Sequence, residues 1–70
     1  MQTIRRRLRV DRREISYLRF ILEGYDGLAI LSTLDAAAGV VELKIAPGCE
    51  PDVERIVKEL QNEILIEEMV

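Results

Sequence analysis

The order in which this chain's hydrophobic periods change restricts its fold more than any other property. Residues up to Val10 alternate between apolar and charged, the spacing of a half-buried strand. From Ile15 the apolar residues recur at helical spacing instead. Two more strand-like runs follow, then a second helical stripe, then a short apolar run near Leu65. Strand, helix, strand, strand, helix, strand within 70 residues leaves room for one sheet and one layer of helices, in a single domain over residues 1–70.

Each element carries its own signals. The first strand, from about Gln2 to Val10, puts Ile4, Leu8 and Val10 on one face and Thr3, Arg5, Arg7 and Arg9 on the other, because successive side chains point to opposite sides. Arg6 falls among the apolar set, which places it near a strand end where its head reaches water. Asp11, with Glu14 three residues later, reads as a capping-box variant opening helix one. The stripe of that helix is Ile15, Leu18, Ile21, Leu22 and Tyr25. Gly24 is expected to be its left-handed stop, folding Tyr25 back toward Phe20, and Asp26-Gly27 is a turn signal. Strand two covers about Leu28 to Leu34, and residues 35–39 make a hairpin loop closed by Gly39.

Strand three, Val40 to Ala46, alternates cleanly. It turns Val41, Leu43 and Ile45 inward and Glu42 and Lys44 outward. Pro51 suits the first position of helix two, whose stripe is Val53, Ile56, Val57, Leu60 and Ile64. Glu54 and Lys58 are spaced for an i,i+4 pair. Strand four is expected at Leu65 to Glu68; the alternative is that helix two runs on to the C-terminus. The whole order is the split βαβ, or ferredoxin-like, layout: an α+β sandwich of a four-stranded antiparallel sheet with two helices on one face. Right-handed crossovers place both helices on the same side and give the strand order 2-3-1-4. The opposite face is left uncovered and displays Arg5, Arg7 and Arg9 beside Glu42 and Lys44.

Composition narrows the function classes. A chain this short buries only about 60% of its unfolded surface and usually needs a staple. Cys49 is the one cysteine and there is no His, so neither a disulfide nor a structural zinc site, which wants four N or S ligands, is expected. No other metal or cofactor is expected either, since no Gly-rich phosphate motif appears. A homodimer is the expected supplement. No apolar run approaches the roughly 20 residues that span a bilayer. Met1 is followed by an Arg-rich strand pattern instead of a signal peptide. With a lone Cys, that argues for a cytoplasmic protein.

The formal charge is −3, unevenly placed: residues 1–35 carry net +2 and residues 36–70 net −5. The overall balance and the lack of any aromatic residue in the central strands argue against nucleic acid, since bases need a stacking platform. Without His the usual general base is missing. Glu42 and Glu67 have no pocket signal around them, so no enzyme is expected.

Three features remain. Arg5, Arg7 and Arg9 form a basic strip that binds a phosphate, a carboxylate or an acidic partner, or else a solvated face paired with Glu42 and Glu67. Tyr17 and Phe20, one helical register off the main stripe of helix one, make a dimer or partner contact, or else cover the core margin. Cys49, just before helix two, reads as a small apolar loop residue, with no base or resolving thiol to make it reactive.

The element order, with Val10-Asp11-Arg12-Arg13-Glu14 at the first turn and Gly27-Leu28-Ala29-Ile30 entering strand two, resembles ACT-type regulatory domains. Such a resemblance implies effector binding, of an amino acid or similar anion, at a dimer contact near Asp11, Glu14, Gly24 and Gly27. ACT domains commonly carry an Asp-x-Pro-Gly-like turn there; this chain has the Asp and lacks the Pro-Gly, which argues against that site. The stretches Leu18-Arg-Phe-Ile-Leu-Glu-Gly-Tyr25, Leu31-Ser-Thr-Leu-Asp35 and Ala46-Pro-Gly-Cys-Glu50 resemble a short bacterial family of unknown function, which implies a small cytoplasmic domain and supplies no activity. The expected function is a non-catalytic regulatory or protein-interaction domain; the alternative is an ACT-like effector-binding domain.

Overall fold

The computed structural model describes residues 4–24 and 28–69. Its elements run β1 (Ile4–Val10), a 3-10 turn (Arg12–Glu14), α1 (Ile15–Glu23), β2 (Ala29–Asp35), β3 (Val40–Ile45), α2 (Glu50–Leu60) and β4 (Ile66–Met69). The four strands pair antiparallel in the order β2-β3-β1-β4. The chain therefore has the ferredoxin-like α+β fold that its periodicities predict.

Register explains which side chains are inside. Leu8 lies opposite Val41, Leu31 opposite Leu43, Ala29 opposite Ile45 and Val10 opposite Ile66. All eight face the helices and are buried. Leu18 and Leu22 of α1 and Val53, Ile56, Val57 and Leu60 of α2 close over them. Among the described residues no polar or charged residue is buried, so the core holds by apolar burial alone.

Helix two does not run on. The N–H groups of Glu63 and Ile64 both donate to the Leu60 carbonyl at 2.9 Å, which closes the helix. The chain then brings Ile66 onto Val10 as the fourth strand. The short apolar run wins because extending the helix would leave β1 without a partner on that side.

Other local expectations are modified. Helix one opens with a 3-10 turn instead of a full capping box. The Asp11 carboxylate accepts from the Arg13 N–H at 2.9 Å, but Glu14 makes no capping bond. The Arg13 guanidinium also reaches the Asp11 carboxylate, at 3.3 Å, and this second contact favours the tighter turn. Gly24 is not left-handed: φ is −75°, and its N–H donates to the Phe20 carbonyl at 3.0 Å, continuing the helical pattern. The expected starts of β1 at Gln2 and Thr3, the fold-back of Tyr25 and the Asp26-Gly27 turn lie outside the described residues. Glu54 turns to Arg6, at 3.8 Å, in place of Lys58.

The β2–β3 connection is held in two ways. The Asp35 carboxylate accepts from the Ala38 N–H at 3.1 Å, and Gly39 has φ +74°. The Gly39 carbonyl accepts from the Val10 N–H at 2.8 Å, which seats the turn on the end of β1.

Candidate functional site

The face of the sheet away from the helices is the surface with the strongest chemical character. Alternation and register set its side chains in rows. One row is Ile30, Lys44 and Arg5; the next is Ser32, Glu42, Arg7 and Met69; a third is Val40, Arg9 and Glu67. The expected strip of Arg5, Arg7 and Arg9 is thus assembled on the central strand, with all three exposed.

The three arginines are not equivalent. The Arg7 side chain lies 3.7 Å from the Glu42 carboxylate. Arg9 stands opposite Glu67 in register without a close ion pair. Arg5 stands opposite Lys44, a like-charged cross-strand pair, which is unfavourable by itself. Among the described residues, Arg5, Arg9 and Lys44 form no ion pair. Arg5, Arg7, Glu42 and Met69 line a broad depression of about 470 Å³ at the sheet margin, together with Arg6 and Glu68. Ile30, 59% exposed, extends the surface with apolar area on the far side.

Arg6 points the other way, toward the helices. Its guanidinium is paired with Glu68 and lies 3.8 Å from Glu54. An inward arginine between two acids is a small, half-exposed charge cluster at the rim of the core. The sequence carried a signal for it: Glu68 shares the inward parity of Ile66, as Arg6 shares that of Leu8.

Tyr17 and Phe20 do not share one environment. The Tyr17 hydroxyl donates to Glu63 at 3.5 Å, and its ring lines a shallow groove between α1 and α2 with Ile21, Ile56 and Leu60. Phe20 sits on the outer side of α1, 73% exposed. Nor does one chain bring together the residues that an ACT-like effector turn implies. Asp11 and Glu14 precede α1 and Gly24 follows it, at opposite ends of a nine-residue helix roughly 14 Å long. Gly27 lies outside the described residues. The Arg13 N–H and then its guanidinium hold the Asp11 carboxyl below the usual carboxylate range, and its negative charge is taken up by Arg13.

Glu42 and Glu67 lie on opposite sides of β1, each across from an arginine, and are not brought together. Cys49 is half-buried against the core just ahead of α2. Among the described residues no helix is long and apolar enough to cross a membrane.

Residues 8–64 match the model of a family described as a domain of unknown function (DUF4911). No curated protein and no solved structure matches the chain.

Proposed function

We propose that this chain, which belongs to the DUF4911 family of domains of unknown function, is a non-catalytic interaction domain that docks an acidic protein segment on the open face of its sheet. The observation that carries this reading is the Arg5–Lys44 pair. Two cations stand side by side across a strand boundary in a row without an acid, and Arg7 lies in the next row. An incoming carboxylate removes that repulsion, and arginine forks receive it in two parallel hydrogen bonds. Met69, exposed at the end of the Arg7 row, supplies the apolar contact that a protein segment uses and a free ion does not.

The absence of His from the sequence and the separation of Glu42 from Glu67 support a role without catalysis. A titration of the chain with oligoglutamate, free glutamate, inorganic phosphate and a short single-stranded RNA tests the reading. Oligoglutamate is expected to bind with an affinity that falls as salt rises, and to lose that binding when Arg5, Arg7 and Arg9 are all changed to Gln. Stronger binding of RNA, saturable binding of free glutamate or phosphate at lower concentration, or oligoglutamate binding untouched by the triple change each overturns it.

A further inference from the structure

We infer that the free edge of β2 is where two copies of this chain join, strand to strand, around a twofold axis at Ser32. The two edges of the sheet differ sharply. β4 is short, four residues, and two of them are Glu, which is how natural sheets keep an edge from pairing. β2 is seven residues long, Ala29–Asp35, with no Lys, Arg or Pro and with its single charge at the last position. Among the described residues its partner is β3 on one side, and its other side is the end of the sheet.

The hydrogen-bond phase of β2 gives the register. The Leu28 carbonyl accepts from the Ala46 N–H at 3.1 Å, so residues 28, 30 and 32 direct their backbone groups to β3. Ala29, Leu31 and Thr33 then direct theirs outward. All three precede the irregularity between Thr33 and Asp35, so the outward ladder is regular. Antiparallel pairing about Ser32 lets Leu31 of each copy exchange bonds with Thr33 of the other. Ser32 meets its own equivalent in the closer, non-hydrogen-bonded position.

The side chains favour a second copy over a foreign strand. Ile30 and Leu34 are 59% and 49% exposed and equally far from Ser32. The twofold therefore sets Ile30 of each copy beside Leu34 of the other and covers both, a match that the chain carries within itself. Residues 29–34 carry no charge, and Asp35 lies beyond the irregularity, in the row of Val40, so no like charges meet within the paired segment. On the helix side, Arg19 donates to the Thr33 hydroxyl at 3.3 Å and lies 4.0 Å from Glu23, so the charges beside the edge are balanced in each copy. The result is a continuous eight-stranded sheet with two Arg strips on one face. This inference does not rest on the acidic-segment reading.

Analytical ultracentrifugation of the full chain tests it together with a cysteine cross-link. The wild-type chain is expected to sediment with the mass of two chains. Changing Ile30 and Leu34 together to Lys is expected to halve that mass while leaving the far-UV circular dichroism unchanged. With Cys49→Ser removing the native thiol, Ser32→Cys is expected to form a disulfide-linked pair under mild oxidation, and Lys44→Cys, inside the sheet, is not. The Ser32→Cys arm stands even where the double Lys variant fails to fold. A wild-type monomer at every concentration overturns the inference, as does a dimer in which Ser32→Cys cross-links no faster than Lys44→Cys.

Discussion

Two glycines with nearly the same backbone separate a steric demand from a conformational one. Gly39 has φ +74° and Gly48 has φ +85°, a region that costs an L-residue about 1–2 kcal/mol. Alanine at either position carries that cost, offset by about 0.4–1 kcal/mol from the stiffer unfolded chain. At Gly48 nothing more is added, since a Cβ there meets nothing within 4 Å. At Gly39 a Cβ would stand 1.9 Å from the Val10 carbonyl oxygen, where ordinary contact begins at 3.4 Å. The turn must therefore retreat from β1, and the Val10 N–H to Gly39 carbonyl bond of 2.8 Å goes with it. Leaving that N–H without a partner costs about 1–3 kcal/mol. Gly39→Ala is thus expected to cost roughly 2–4 kcal/mol and Gly48→Ala about 1 kcal/mol or less. A chain of this length has roughly 4–10 kcal/mol in all. Urea unfolding followed by circular dichroism measures both. With a slope of about 1 kcal/mol per molar for so small a domain, the two midpoints should differ by more than about 1 M. Coincident midpoints would refute the argument that Gly39 is held by contact with β1.

Three further outcomes follow from the geometry. Arg6→Met keeps the packing of the stem among Glu54 and Glu68 while removing a half-exposed charge cluster, so urea midpoints should place it within about 1 kcal/mol of wild type; Arg6→Glu, which sets three acids together, should cost clearly more, and equal costs would sink the assignment of that cluster. The Asp11 carboxyl is held low in the folded chain, first by the Arg13 N–H and then by its side chain, so its contribution to stability is full above the unfolded value of about 3.9 and is lost as pH falls through the lower folded value. A carboxyl carbon NMR titration should show Arg13→Gln raising that folded value only part of the way, because the backbone N–H remains; a midpoint at or above the ordinary Asp value in wild type would contradict the turn. Phe20→Ser should change the urea midpoint by no more than about 0.5 kcal/mol equivalent, since the ring is 73% exposed, and a larger loss would mean that the ring packs.

The interaction surfaces are partly legible in the sequence. Arg5, Arg7 and Arg9 share a face by strand parity, and that parity survived folding unchanged. Parity also placed Glu42 and Lys44 on the same face, but not which arginine meets which. The cap at Asp11 was readable because it is made by residues two apart. The state of Gly24 was not, because a helix end is settled by the carbonyl that its N–H finds, here that of Phe20. The prominence of Ile30 and Leu34 was hidden for a different reason. An apolar strand reads the same whether it lies inside a sheet or along its rim.

Periodicity, turn residues and the alternation of charge were enough to establish two helices, three strands and a bare cationic flank, because the direction of a side chain depends on backbone geometry over a few residues. The meeting of Arg5 with Lys44, the turning of Arg6 onto Glu68 and Glu54, and the pairing of Ile66 with Val10 as a fourth strand in place of a longer helix arose only when distant segments met. Register between segments tens of residues apart is chosen by how the whole core fills, and no local pattern contains that information.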